Sequence, residues 1–250
     1  LEMGSSAKPK ILVTRPQPGA DQTAARLKSH GFDPVVLPFT EVVPTTPAAG
    51  LEIPTDVQAI LVTSANAIRH ASQHIIDQFR AVPVYAVGDA TKLAATTAGF
   101  QSVRSADGNA KDLAALALQE LSVDDHALDL CGETRTRDIE DALDDADIRL
   151  AIIETYKTKK VSQLTYIFQS VFNSQKVDAV LLYSSVSAMI YNTLMTADLG
   201  VEVPEYPRVF CVSKRAKEKL SPAIQECSFV AEAPREEAVI RAVCDYFDLN

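Results

Sequence analysis

Six turns in this 250-residue sequence hold the residues best suited to chemistry. They are Thr14-Arg15-Pro16, Thr63-Ser64-Ala65-Asn66, Gly88-Asp89-Ala90-Thr91, Gly132-Glu133-Thr134, Ser184-Ser185-Val186-Ser187 and Ser213-Lys214-Arg215. Each follows a short apolar run, and most lead into a stretch with helical periodicity. Hydroxyl, amide and glycine residues placed there cap helices and leave backbone N–H groups pointing outward. Such N-termini attract carboxylates and phosphates. One such turn is ordinary capping, but six at strand ends favour an anionic ligand. The candidate contacts are Ser64, Asn66, Gly88, Thr91, Gly132, Ser184, Ser185, Ser187, Ser213 and Lys214. Arg15 follows its strand directly, where a guanidinium can fork a carboxylate; a surface ion pair explains it equally well. Tyr156, in Glu154-Thr155-Tyr156-Lys157-Thr158, offers a phenol that can donate a proton to a leaving oxygen or simply pack.

Other chemistries lack their signatures. There is no G-x-G-x-x-G, no P-loop and no G-x-S-x-G elbow. His30, His70, His74 and His126 do not cluster, and the His70/His74 pair has no third ligand nearby, so no metal site is expected. The four cysteines show no C-x-x-C, and no disulfide is expected. The net charge of −9 argues against nucleic acid as a partner. Ten Asp/Glu against three Lys/Arg fall within 121–150, a pattern typical of a solvated helix face. No apolar run approaches the ~20 residues of a membrane span. The opening residues lack the apolar core of a signal peptide, so a cytoplasmic protein is expected.

Fully apolar strands alternating with helical segments must position these turns. The strands are ILV (11–13), PVVLP (34–38), AILV (59–62), VYAV (84–87), LDLC (128–131), LAII (150–153), AVLLY (179–183) and VFCV (209–212), with weaker runs QSVR (101–104) and SFVA (228–231). Strands without polar alternation belong in parallel sheets covered on both faces. Helices are expected in ADQTAARLKSHG, ANAIRHASQHI, DATKLAATTAGF, AKDLAALALQEL, RDIEDALDDA, VSAMIYNTLM and KRAKEKLSPAI, with stops at Gly31, Gly99 and Gly200. The chain also repeats itself. QAILVTSANAI matches DAVLLYSSVSAMI, and VPVYAVGDATKLAATTAGFQSV matches YPRVFCVSKRAKEKLSPAIQECSFV. The C-terminal copy lacks two strands, which the N-terminal pair can supply. This predicts an α/β protein of two parallel five-stranded lobes. One is discontinuous (8–38 plus 158–250) and the other inserted (45–152). The crossings, 39–44 and 153–157, form a two-stranded β-ladder, with ligand bound in the cleft between lobes.

V-T-R-P, L-V-T-S-A-N-A, Y-A-V-G-D-A-T, L-C-G-E-T-R-T-R-D, E-T-Y-K-T and Y-S-S-V-S-A, in this order, resemble the uroporphyrinogen-III synthase family. The resemblance covers about 11–230. It implies two flavodoxin-like lobes and a cofactor-independent hydro-lyase of haem and tetrapyrrole biosynthesis. The implied substrate is hydroxymethylbilane, a linear tetrapyrrole closed with inversion of ring D and loss of water. Tyr156 matches a family tyrosine proposed to assist loss of the hydroxyl. Thr91 matches a cleft threonine, Arg15 the arginine of the first turn, and Ser64, Asn66, Ser184, Ser185 and Ser187 the serine turns that meet substrate carboxylates. Two departures stand out: Ser213-Lys214-Arg215-Ala216 replaces G-x-x-T, and Val186 replaces a proline. A monomer is expected, with the preceding pathway enzyme as a further partner. The alternative is a non-catalytic two-lobed binding protein for a small polycarboxylate.

Overall fold

The structure, a computed structural model, describes residues 7–45, 53–106, 108–197 and 206–248. In chain order, β1 (Lys10–Val13), α1 (Gly19–Ser29) and β2 (Asp33–Val36) come first. Then follow β3 (Thr40–Pro44), β4 (Val57–Val62), α2 (Ala65–Arg69), α3 (Gln73–Gln78), β5 (Val84–Val87), α4 (Gly88–Ala98) and β6 (Val103–Ala106). Next are α5 (Ala110–Glu120), β7 (His126–Gly132), α6 (Asp138–Asp144) and β8 (Arg149–Lys160). The last stretch holds α7 (Leu164–Ser174), β9 (Ala179–Leu182), α8 (Ser185–Thr196), β10 (Arg208–Cys211), α9 (Lys214–Lys217), α10 (Pro222–Glu226), β11 (Ser228–Val230) and α11 (Glu236–Tyr246). The chain divides into two compact units, Leu1–Glu41 with Lys160–Asn250, and Val42–Lys159.

The first unit holds a parallel sheet in the order β11-β10-β9-β1-β2. Its strands bury both faces. Leu12, Val180, Leu182, Val209 and Cys211 pack on one side with Phe39, Phe168 and Tyr191. Ile11, Val13, Ala179, Leu181 and Phe210 pack on the other with Val239, Ile240 and Val243 of α11. This two-sided burial is why the strands read as unbroken apolar runs.

The second unit has the order β3-β8-β7-β4-β5-β6. Five of its strands are parallel. Ile60, Val62, Leu128 and Leu130 fill one face, and Ala59, Leu61, Tyr85 and Ala127 the other. The expected ladder is a continuation of this sheet. β8 runs unbroken through 149–160, pairing first with β7 and then with β3. The Thr45 amide donates to the Thr155 carbonyl (3.0 Å) and the Val161 amide to that of Phe39 (3.1 Å), so the two crossings run antiparallel.

The two parallel sheets share one spatial order. In the first unit it is β2-β1-β9-β10-β11; in the second it is β8-β7-β4-β5-β6. The repeated segments form β9–β11 and β4–β6. The N-terminal pair β1–β2 takes the place in one unit that β7–β8 takes in the other. Counted from the pair, both read 2-1-3-4-5, the flavodoxin-like arrangement.

Some local expectations change. ANAIRHASQHI breaks into α2 and α3, because Ser72 caps a new helix by accepting from the Ile75 amide. KRAKEKLSPAI breaks into α9 and α10 at Ser221-Pro222. Two further helices appear. α7 is rich in aromatic and β-branched residues that mask a helical pattern. α11 buries Val239, Ile240, Val243 and Cys244 on one face, a pattern that was legible. Gly31 (φ +88°) follows α1 and Gly99 (φ +108°) caps α4, as expected. Gly200 lies outside the described residues. All four cysteines are free and buried.

Phe168 is fully buried, stacked on Phe172 (4.4 Å between centroids) and edge-on to Phe39 and Tyr191. Phe168→Ala is expected to cost the first unit about 3–5 kcal/mol. Urea unfolding followed by amide exchange in that unit measures it.

Candidate active site

In both units the candidate residues gather at the carboxyl ends of adjacent strands. In the first unit these are β10, β9 and β1, bearing Ser213-Lys214, Ser184–Ser187 and Arg15. In the second they are β7, β4 and β5, bearing Gly132, Ser64-Asn66 and Gly88-Thr91, with Tyr156 inside β8 where its pairing with β7 ends.

In the first unit, Ser184 and Ser187 form a reciprocal capping box on α8. The Ser187 amide donates to Ser184 Oγ (3.0 Å), and the Ser184 amide to Ser187 Oγ (3.1 Å). Ser187 is buried, so its hydroxyl shapes the turn. Ser185 is half-buried, and its hydroxyl donates a long bond (3.4 Å) to the Arg215 carbonyl. Ser213 caps α9 by accepting from the Ala216 amide (3.3 Å), while Lys214 and Arg215 are exposed beside it.

Arg15 is held from several sides. Its guanidinium lies 4.7 Å from the Tyr183 ring centroid, 3.3 Å from Thr23 Oγ1 and 3.4 Å from Glu236 Oε2. Glu236 is itself fixed, accepting from the Thr23 hydroxyl and pairing with Arg26 (3.2 Å). Arg15 is therefore an anchored cation, still about a quarter exposed (28%). Sequence reasoning found Arg15 but missed Thr23, Tyr183 and Glu236. Glu236 lies 213 residues from Thr23, and no local pattern marks it.

In the second unit, Ser64 caps α2 by accepting from the Asn66 amide (3.2 Å), and Asn66 Oδ1 accepts from Arg69 (3.2 Å). Gly88 opens α4 at φ +74°, with open space where a Cβ would lie. This left-handed conformation favours glycine. Thr91 sits one turn later on the buried side of α4.

Tyr156 pairs in register with Gly132 and Glu154 with Cys131, so Thr155 is the extra residue of a bulge in β8. The Glu133 amide donates to the Tyr156 carbonyl (2.9 Å). The preceding Thr155 is buried, and its hydroxyl bonds the carbonyls of Ala67 (2.9 Å) and Cys131 (3.3 Å). The Tyr156 ring is half-buried, 6.2 Å from the His70 ring between centroids. Among the described residues its hydroxyl has no hydrogen-bond partner. Sequence reasoning marks His70 only as an ordinary surface or core residue; its place at the end of α2 brings it beside the phenol.

Below this corner lies Asp129 of β7, a carboxyl within an otherwise apolar strand. It is buried, and its Oδ1 has no partner. Burial pushes its pKa up to about 7, against the opposing charge of Arg135. Arg135 is itself held by Glu140 (2.7 Å) and Glu154 (2.8 Å). Burial, followed by the Asp129 charge, pushes the Cys131 thiol up to about 12, which makes it a poor nucleophile. No group of His, Cys, Asp or Glu among the described residues is arranged to hold a metal ion. Among the described residues no helix is long and apolar enough to cross a membrane.

The sequence matches the family described as HEM4, uroporphyrinogen-III synthase HemD, over residues 21–241. No curated protein gives a significant match. The fold is similar to the solved structure of uroporphyrinogen-III synthetase from Helicobacter pylori, at 15% identity and a TM-score of 0.60, covering 95% of this chain and 99% of that one. It is also similar to a mutant uroporphyrinogen III synthase from the extremely thermophilic bacterium Thermus thermophilus, at 13% identity and a TM-score of 0.53, covering 97% and 100%. At such identities the likeness speaks for the fold.

Asp129 makes a pH prediction. Its folded pKa lies above the unfolded value, so the folded state binds the extra proton. Its stabilisation is complete below about pH 4 and is lost as the pH rises through about 7. Asp129→Asn should remove this slope and leave the variant the more stable above pH 7, by about 2–4 kcal/mol. Calorimetric melting of both proteins from pH 5 to 8 checks it; parallel curves would refute it.

Proposed function

The chain belongs to the uroporphyrinogen-III synthase family, and from that membership we propose how its strand-end turns and Tyr156 close a linear tetrapyrrole. The protein is an enzyme of tetrapyrrole synthesis. Its proposed substrate, hydroxymethylbilane, carries many carboxylates and a terminal hydroxymethyl group. The observation behind this mechanism is the Tyr156 phenol, held within β8 where its pairing with β7 ends at Gly132, with its hydroxyl free of protein partners among the described residues.

In this reading the phenol donates its proton to the departing hydroxyl as the C–O bond breaks. Water leaves, and the pyrrole nitrogen lone pair carries the resulting azafulvene cation. The substituted carbon of ring D attacks this centre to give a spiro intermediate, which reopens and recloses with ring D inverted. The final ring carbon loses a proton, which restores the phenol, so the net change is loss of one water. The electron push comes from the substrate, so the reaction runs as a hydro-lyase without a cofactor. The protein contributes orientation, which can supply about 7–11 kcal/mol.

Arg15 is proposed to fork one carboxylate. The N-termini of α4, at Gly88, and α8, at Ser185, offer backbone N–H groups to others, with Ser64, Asn66, Ser213 and Lys214 as further polar contacts. Ser184 and Ser187 hold their turn in shape, and Thr91 lies buried on α4. We read the enzyme as a cytoplasmic monomer. Uncatalysed closure gives the symmetric type I isomer, so substrate must be captured promptly from the preceding pathway enzyme. The non-catalytic binding protein is not favoured, since the family is one of synthases.

Fresh hydroxymethylbilane given to the protein, then oxidised and resolved into isomers, should yield type III porphyrin. Type I alone would overturn the assignment. Tyr156→Phe should lower kcat about 10- to 100-fold without abolishing turnover, within the range of general-acid assistance. An unchanged rate would remove the phenol from the mechanism.

A further inference from the structure

We infer that Gly132 is a positioning residue for Tyr156 and not a contact for substrate. The inference rests on the reading of Tyr156 as the proton donor. A Cβ at Gly132 would stand 2.7 Å from Cζ, 2.9 Å from Cε2 and 3.0 Å from the hydroxyl oxygen of Tyr156. Ordinary carbon contacts lie near 3.5–4.0 Å. The phenol therefore rests on the bare Cα of Gly132, in space that any other residue would fill.

The usual reason for a glycine is absent here. Gly132 does not appear among the positive-φ glycines of the described residues, whereas Gly88 does, with open space at its Cβ position. Gly88 answers a demand of the backbone; Gly132 answers a demand of the Tyr156 ring. The register shift that leaves Thr155 of β8 without a partner on β7 sets Tyr156 against Gly132.

The ring has little freedom to evade a methyl group. The side chain has two torsions, and its backbone is tied by the register with Gly132, by the Glu133 amide and by the two bonds of the Thr155 hydroxyl. A methyl at 132 must therefore displace the end of the ring that carries the reactive oxygen. A misplacement of about 1 Å at a reacting group can cost about 100-fold.

The test compares wild type, Gly132→Ala, Tyr156→Phe and the double variant Gly132→Ala/Tyr156→Phe by kcat and KM for type III product. Gly132→Ala should lower kcat about 10- to 100-fold with KM within about 2-fold, because the general-acid contribution is what it misplaces. In the Tyr156→Phe background, where no hydroxyl remains to misplace, the same change should alter kcat by less than about 2-fold. Equal losses in both backgrounds, or full activity of Gly132→Ala, would overturn the inference. Loss of rate in Tyr156→Phe with independent losses at 132 would sink the seat alone; an unchanged Tyr156→Phe would sink the catalytic reading. Should Gly132→Ala fold poorly, melting in a Tyr156→Ala background decides. Its penalty should vanish once the ring is gone, and an undiminished penalty would count against the seat.

Discussion

A strand covered on both faces has no room for polar side chains without cost, and that constraint arranges everything else here. Each parallel sheet packs apolar residues above and below. Hydroxyls, amides and bases are consequently displaced to the strand ends, where helices begin and backbone N–H groups lack partners. Asp129 shows the cost. It sits mid-strand, buried, with one oxygen unpartnered and its pKa pushed up to about 7.

The strand ends differ in how firmly they hold their side chains. Ser184 and Ser187 form a closed capping box, whereas the half-buried Ser185 beside them makes a single long bond among the described residues. Arg15 is locked against Tyr183, Thr23 and Glu236 while keeping part of its surface open. Tyr156 is tied through its backbone, and its hydroxyl remains free among the described residues. The reaction proposed here, whose electron push comes from the substrate, would need such pre-set geometry more than strong acids or bases. On the proposed reading an acidic protein also accepts a polyanion, because local N–H groups, hydroxyls and a few cations would meet it. The net charge of −9 does not decide it.

The duplication explains how one chain builds two similar sheets with different connections. β1–β2 precede the inserted unit, and β7–β8 follow their own repeat, yet both pairs occupy the same places beside the repeated strands. Parallel pairing and two-sided burial fix where a strand sits; its position in the chain matters less. Continuation of β8 beyond its parallel partner into pairing with β3 makes the crossing part of the sheet.

The sequence by itself determined the apolar strands, the six polar turns, the repeat, and the standing of Arg15 and Tyr156 as candidates. These are local properties: strand burial writes itself as unbroken Val, Ile and Leu, and capping writes itself as Ser, Asn and Gly. The lone Asp of LDLC was visible too, as a carboxyl inside an apolar run. Tertiary structure alone decided what meets those residues. Glu236 reaches Arg15 only because α11 packs beside β1 and α1. His70 meets Tyr156 only because α2 ends where β8 leaves β7. The bare Cα of Gly132 becomes a seat only when the register sets a ring against it. Such contacts depend on pairing between segments far apart in the chain, and no spacing along one segment encodes them.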